Sequence, residues 1–364
     1  MLNAGSSTLK YRLFPSDAEP NGGVVERIGE PDGAAADHGA AVHRVLERLS
    51  SKEIGAVGHR IVHGGTRFRE PVVVDDAVLQ AIREVSVLAP LHNPAGVAGI
   101  EAARQALPGV PQVAVFDTAF HATLPEAAAT YALDRDLARR YGVRRYGFHG
   151  ISVGWVAAGT ARLLDRPLAE LNLIVLHLGN GASATAVAGG RSVETSMGMT
   201  PLEGLVMGTR TGDLDPAVTF HLARAGMALP DIEDAYQHRS GLAGLCGDND
   251  LRRVAERDAE GDPAARLALD VYCHRIRRYV GAYHAVLGRL DAITFTAGVG
   301  EHSAVVRERS LAGLAPLGIT VDPGRNVGAG APRLISPDGA RVAICLVPTD
   351  EERAIAEAVT RLVG

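Results

Sequence analysis

Residues 171–190 read LNLIVLHLGNGASATAVAGG. The first eight, six of them apolar, are of strand length and give the clearest strand signal in the chain. Gly179-Asn-Gly181 then turns it, and small polar and apolar residues alternate from Ala182 to Val187 before Gly189-Gly190. This predicts strand–turn–strand, a β-hairpin. Gly179, Gly181 and Ala184 also match the G-x-G-x-x-A spacing of a dinucleotide-binding turn. That motif needs a helix opening at the turn, with its amino end on the pyrophosphate. Here Ser183-Ala-Thr-Ala-Val187 favours a strand and Gly189-Gly190 would break a helix within a turn, so the oxidoreductase reading falls. No GxxxxGK[ST] sequence occurs, which excludes a Walker-type phosphate loop.

The hairpin has an echo half a chain earlier. Gly5-Ser-Ser-Thr8 follows Asn3 much as Gly181-Ala-Ser-Ala184 follows Asn180, and both lie in strand–turn–strand contexts. A duplicated domain facing its copy across a cleft explains the echo; so would the recurrence of small residues in any tight hairpin. Further strands are expected at 9–14, 54–62, 112–116, 291–296 and 341–347. Helices are expected at 40–49, 77–88, 153–164, 264–287 and about 351–362. Strands alternate with helices, so the class is α/β. Three glycine-rich turns, at 3–10, 179–183 and 298–302, follow strands or join them, and their free backbone N–H groups suit phosphate oxygens.

At 364 residues the chain suits two domains, and 46% hydrophobic with 22% charged residues is the balance of a soluble globular protein. A net charge of −5 gives no basic field for nucleic acid or anionic membrane. Three cysteines without a CxxC pair make no disulfide framework and suit a reducing cytoplasm. Neither a secretory leader nor a bilayer-length apolar run is evident. Only Lys10 and Lys52 among the 37 basic residues are lysine, and Lys10 sits in the first glycine-rich turn, where a compact ammonium has its use.

Arg60 lies inside an apolar strand and Arg210 within Gly208-Thr-Arg-Thr-Gly-Asp213. Each must pair with a carboxylate or bind an anion, since an isolated buried charge costs several kcal/mol. His59 and His63 lack the glutamate of a zinc-protease helix and read as structural. Phe116-Asp117-Thr118 and Phe148-His149-Gly150 each set one polar group among apolar or small neighbours; core scaffolding or a phosphoryl-transfer site would both fit.

The residues then match a known pattern. Asn3-Ala-Gly-Ser-Ser-Thr-Leu-Lys10, Gly58-His-Arg-Ile-Val-His-Gly-Gly65, Pro90-Leu-His-Asn-Pro94 and Val115-Phe-Asp-Thr-Ala-Phe-His121 resemble the acetate kinase family. So do Tyr146-Gly-Phe-His-Gly150, His177-Leu-Gly-Asn-Gly181, Glu194-Thr-Ser-Met-Gly-Met-Thr-Pro-Leu-Glu-Gly204, Phe295-Thr-Ala-Gly-Val-Gly-Glu301 and Pro348-Thr-Asp-Glu-Glu352.

The resemblance implies two duplicated actin-like ATPase (ribonuclease H-like) domains across a nucleotide cleft. It divides them as 1–118 plus 352–364, on the acetate and phosphate side, and 119–351, for nucleotide binding and dimerisation. The implied reaction is reversible transfer from ATP to acetate with Mg²⁺, or Mn²⁺, in a cytoplasmic homodimer; a propionate kinase or a non-catalytic ATP-binding protein of the same fold is the alternative. By match of motif, Arg60 and Arg210 would hold the acetate carboxylate and the phosphoryl group, and His149 its equatorial oxygens. Asn3 and Glu351 would organise the metal. The family's role of proton donor or acceptor falls to Asp117, but a carboxylic acid with a pKa of about 4 to 5 is already ionised at neutral pH, so we read Asp117 as orienting an arginine or a metal-bound water. Lys10 with His177, Leu178, Gly179, Asn180 and Gly181 would meet phosphates. Asp250, Leu251, Arg252 and Gly298, Val299, Gly300, Glu301, His302 would hold the adenosine, and Val62, Leu91, Phe148 and Pro201 the methyl group. Thr8, His302 and Asp350 depart from the family's usual Ser, Asn and Asn, and only Met1 and Leu2 precede Asn3, a shortening expected to loosen its register.

Overall fold

The apolar runs on either side of the glycine-rich turns become the strands of two mixed sheets. A computed structural model describes residues 1–364 except 6, 16–18, 50–53 and 91. The first sheet holds β1 (Leu2–Ala4), β2 (Leu9–Leu13), β3 (Asn21–Val25), β4 (Val57–Ile61), β5 (Val72–Val73) and β6 (Gln112–Phe116), in the order β3-β2-β1-β4-β6-β5. The second holds β7 (Asn172–Leu178), β8 (Ala182–Ala188), β9 (Arg191–Thr195), β10 (Ala292–Thr296), β11 (Arg333–Leu334) and β12 (Ala343–Leu346), in the order β11-β12-β10-β7-β8-β9.

The two orders are one topology used twice. Each starts as an antiparallel meander of three strands, continues with two parallel strands, and ends in an antiparallel edge strand that comes earlier in the chain than its neighbour. The hairpin at 171–190 and its echo at 3–10 are the corresponding first turns of the two copies. Strands β6 and β10 are buried at every residue, as strands covered on both faces are.

Strand β4 is packed from both sides, its residues alternating between faces. Ile61 meets the helix Asn93–Ala106, where a Cβ on Gly96 would sit 2.8 Å from the Ile61 Cδ1. Gly58 and Arg60 look the other way, toward the helix Glu351–Val363; a Cβ on Gly58 would lie 2.6 Å from Ile355 and 2.7 Å from Val359. Ile355, Ala358 and Val359 close a core there with Val113, Val115 and Ile151.

The chain divides into two compact units, one of Met1–Ala122, Phe148–Ser152 and Asp350–Gly364, the other of Thr123–Gly147 and Val153–Thr349. The joins differ from the expected boundaries at 118 and 352. Residues 148–152 group with the first unit because the Gly150 N–H donates to the Asp117 carbonyl at 2.8 Å and His121 Nε2 meets the Phe148 carbonyl at 2.8 Å. Residues 298–302, expected as a turn, belong instead to the helix Ala297–His302, which opens directly after β10. Asp250 likewise caps a helix, Leu251–Ala259, by accepting from the Arg252 N–H. No helix among the described residues is long and apolar enough to cross a membrane.

Candidate active site

In the first unit the site grows from the ends of β4 and β6. These strands run parallel with Ile61 opposite Phe116, so Asp117 emerges beside Arg60 and its N–H donates to the Ile61 carbonyl at 3.0 Å. Arg60 Nε and Nη2 then donate to the two Asp117 oxygens at 3.0 and 2.5 Å, a two-point grip. Glu351, first residue of the helix over Gly58, brings a second carboxylate 3.9 Å from Arg60 Nε. Burial alone would lower the Arg60 guanidinium, but the charges of Asp117 and Glu351 outweigh it and raise it. One fixed cation thus stands among two carboxylates.

Asp117 also anchors the Phe148-His149-Gly150 segment through its carbonyl. A Cβ on Gly150 would lie 2.3 Å from that oxygen, so only glycine lets the segment approach. His149 takes φ +58°, a left-handed conformation costing about 1–3 kcal/mol for a side-chain-bearing residue. Two buried histidines brace the frame, and burial pushes both down to about 4, so they are neutral at pH 7. His121 holds the Phe148 carbonyl, and His59 Nε2 meets Gln112 Oε1 at 2.8 Å. Asn93 ties the residue after Val62: its Oδ1 accepts from the His63 N–H at 3.1 Å and its Nδ2 donates to the His63 carbonyl at 2.9 Å. His121 and Asn93 were not singled out from the sequence beyond their motifs. For His121 the signal is a polar side chain among small or apolar residues; Asn93, between His92 and Pro94, carries none.

In the β1–β2 hairpin, Asn3 pairs directly with Lys10, so both project from the same face. The turn between them is tight: Gly5 N–H donates to the Thr8 carbonyl at 2.8 Å, and His38 Nε2 meets the Gly5 carbonyl at 2.6 Å. Leu91 lies outside the described residues.

The second unit carries a pocket of about 290 Å³ at the β7–β8 turn. Gly179, Asn180, Asp250, Leu251 and Val299 all line it, so three segments far apart in sequence converge there. Gly181 closes the turn by accepting from the Gly179 N–H at 3.0 Å. Other expected members are placed differently. Leu178 is fully buried in the core and offers only backbone, and His177 is buried on β7. Arg252 turns outward and pairs with Asp250. Gly300 packs on the Phe295 backbone, whereas Glu301 and His302 line a separate pocket of about 380 Å³ with Arg307 and Arg333.

Arg210 sits on the loop 204–213, whose base is closed by reciprocal bonds of 2.9 Å between Gly204 and Asp213. Gly212 and Gly241 have φ +66° and +60°, and a Cβ on either would strike loop carbonyls at 2.3 and 2.2 Å. The Arg210 guanidinium donates to the Pro201 carbonyl at 3.0 Å and touches the Met207 Sδ at 3.6 Å. Unlike Arg60, it has no carboxylate partner among the described residues, and burial lowers it without a compensating charge.

The Acetokinase family profile matches residues 1–357. The chain belongs to the Acetokinase family. It is 54% identical to an acetate kinase from Streptomyces griseus, over 100% of this chain and 96% of that one. The crystal structure of a Porphyromonas gingivalis acetate kinase superposes with a TM-score of 0.95 at 39% identity, covering 100% of this chain and 98% of that chain. A propionate kinase from Francisella tularensis follows with a TM-score of 0.92 at 36% identity, covering 99% and 98%. Membership makes this chain a kinase, and the duplicated sheets are the architecture that its solved relatives share.

Proposed function

We propose that this chain transfers a phosphoryl group reversibly between ATP and acetate. The observation that carries the reading is Arg210, a half-buried guanidinium aimed by a glycine-built loop and without a carboxylate partner among the described residues. A guanidinium so held is a ready receptor for an anionic substrate. Bringing a carboxylate to ATP sets anion against anion, so catalysis consists of positioning the groups in line and dispersing charge. An acetic acid group with an ordinary pKa of about 4 to 5 is already ionised at neutral pH, so no base is needed to activate it. We assign the acid carboxylate and the phosphoryl charge to Arg60 and Arg210, and the equatorial oxygens to His149, by their match to the family's motifs. Asp117 acts by fixing Arg60. We assign the methyl group to Val62, Leu91, Phe148 and Pro201 by their match to the family's motifs.

The nucleotide reading rests on the pocket of Gly179, Asn180, Asp250, Leu251 and Val299, with Lys10 and Gly181 assigned to phosphates. We assign the adenosine to that pocket. Magnesium, or manganese in its place, fits the donors on this chain. Among the described residues no three histidine, cysteine or carboxylate side chains form a metal cage, but magnesium keeps several waters and binds through one or two carboxylates plus substrate phosphates. Asn3 and Glu351 would hold it, Glu351 belonging to the carboxylate-rich group around Arg60. When bound, the ion would neutralise phosphate charge. We further propose a homodimer in the cytoplasm; the three free cysteines suit that compartment.

A coupled ADP-release assay with ATP, Mg²⁺ and each of acetate, propionate and butyrate tests the reading. Turnover with acetate preferred, lost in Arg210→Ala, is expected. Preference for propionate would move the chain toward the Francisella relative. ATP binding without turnover on any acid would leave a non-catalytic nucleotide-binding protein.

A further inference from the structure

We propose that Tyr131, Arg145 and Glu203 are positioning residues that aim Arg210, and so set how tightly the acid substrate is held. The inference rests on the proposed acetate kinase activity. Arg210 is steadied by the Pro201 carbonyl, which lies outside the loop that carries the arginine. Pro201 itself belongs to a stretch without regular secondary structure, so side chains must fix it.

They do so from both ends. The Tyr131 hydroxyl accepts from the Met199 N–H at 3.1 Å and donates to Glu203 Oε2. One oxygen atom therefore pins residues 199 and 203, with Pro201 midway between them. Arg145 Nη2 holds the other oxygen of Glu203 at 2.7 Å. Its Nη1 lies within 3.1–3.2 Å of the carbonyls of Thr195, Ser196 and Met197 and so secures the approach to the bridge. Gly198 makes room: a Cβ there would stand 1.9 Å from Glu203 Oε2 and 2.1 Å from the Tyr131 oxygen.

Glu203 also joins the bridge to the arginine loop, because it precedes Gly204, the residue closed onto Asp213. Tyr279 donates to both Asp213 oxygens at 3.0 Å and Arg275 to the Gly204 carbonyl at 2.9 Å, so the loop base is rigid on its far side. The remaining freedom of Arg210 lies in where Pro201 presents its carbonyl. Tyr131, Arg145 and Glu203 control that.

Tyr131→Phe deletes the bridging oxygen and keeps the ring; Glu203→Gln keeps the shape and removes the charge. Steady-state kinetics on each should show KM for the acid raised about five- to tenfold, the loss of one or two hydrogen bonds, with KM for ATP within about twofold of the parent. In an Arg210→Lys background Tyr131→Phe should change the acid KM by less than about twofold, because there is no fork left to aim. Acid KM unchanged in both folded variants, or acid and ATP KM rising together, would overturn the proposal. Should Tyr131→Phe not fold, Glu203→Gln carries the same two outcomes. Failure of the parent chain to turn over any acid strikes the proposed function instead.

Discussion

Arg60 and Arg210 meet opposite surroundings. Arg60 is gripped by Asp117 with Glu351 close by, whereas among the described residues Arg210 meets a carbonyl and a thioether and no carboxylate. The first arrangement builds a frame and the second leaves a charge to give. Asp117→Asn should therefore reduce kcat by about 10²-fold through a misplaced Arg60 and alter the Mg²⁺ response. A near-normal kcat with the parent's metal dependence would remove Asp117 from the role. The neutral histidines make a separate prediction in pH. His59 and His121 fall from the ordinary 6.5 to about 4 on folding, so the unfolded chain binds the extra protons. Stability from this source is complete above about pH 6.5 and is lost as pH falls toward about 4, by about 1.4 kcal/mol per pH unit for each histidine. In denaturant titrations His121→Gln, which keeps an N–H for the Phe148 carbonyl, should reduce that slope by about one proton. An unchanged slope would mean that His121 is charged in the folded protein.

Among the elements, the helix Glu351–Val363 depends on a missing side chain. Its Ile355 and Val359 occupy the space where a Cβ on Gly58 would be. Gly58→Ala should cost about 1–3 kcal/mol in thermal or denaturant unfolding and lift Glu351 from Arg60, which enzyme assays would register as a higher Mg²⁺ requirement. A stable variant with parental metal dependence would show that the helix shifts without consequence. This contact was not legible in the sequence, although Gly58 was quoted within a motif, because its partners are some three hundred residues away. The hairpins at 3–10 and 171–190 were legible, since turn glycines and strand alternation are local. Residues 298–302 misled because glycines mark turns and close helix packing alike; here Gly300 lies against the Phe295 backbone at the start of a helix. Nor did any local pattern reveal the Tyr131–Glu203 bond, which joins residues 72 apart. The motifs named the chemistry, while the braces behind it came from folding.

Over the whole molecule, the first unit is assembled from three separate segments and the second from two. Residues 350–364 supply Ile355, Ala358 and Val359 to a core whose other members include Val113 and Val115 on β6. Burying the isoleucine and valine contributes about 3–6 kcal/mol, a large share of the roughly 5–15 kcal/mol that stabilises a typical domain. A chain cut after Thr349 should lose hydrogen-exchange protection in β4 and β6 while β7 and β8 keep theirs. Equal loss in both sheets would mean that they unfold as one. Synthesis imposes the same order. The ribosome delivers β1 to β6 first, yet the helix that seals them emerges only after the entire second unit has been made. The earlier sheet must wait, with the apolar face of β6 exposed, while the later one becomes free to finish. For this chain the amino-terminal half is the first written and the last completed, and the interval between is when chaperones would find it.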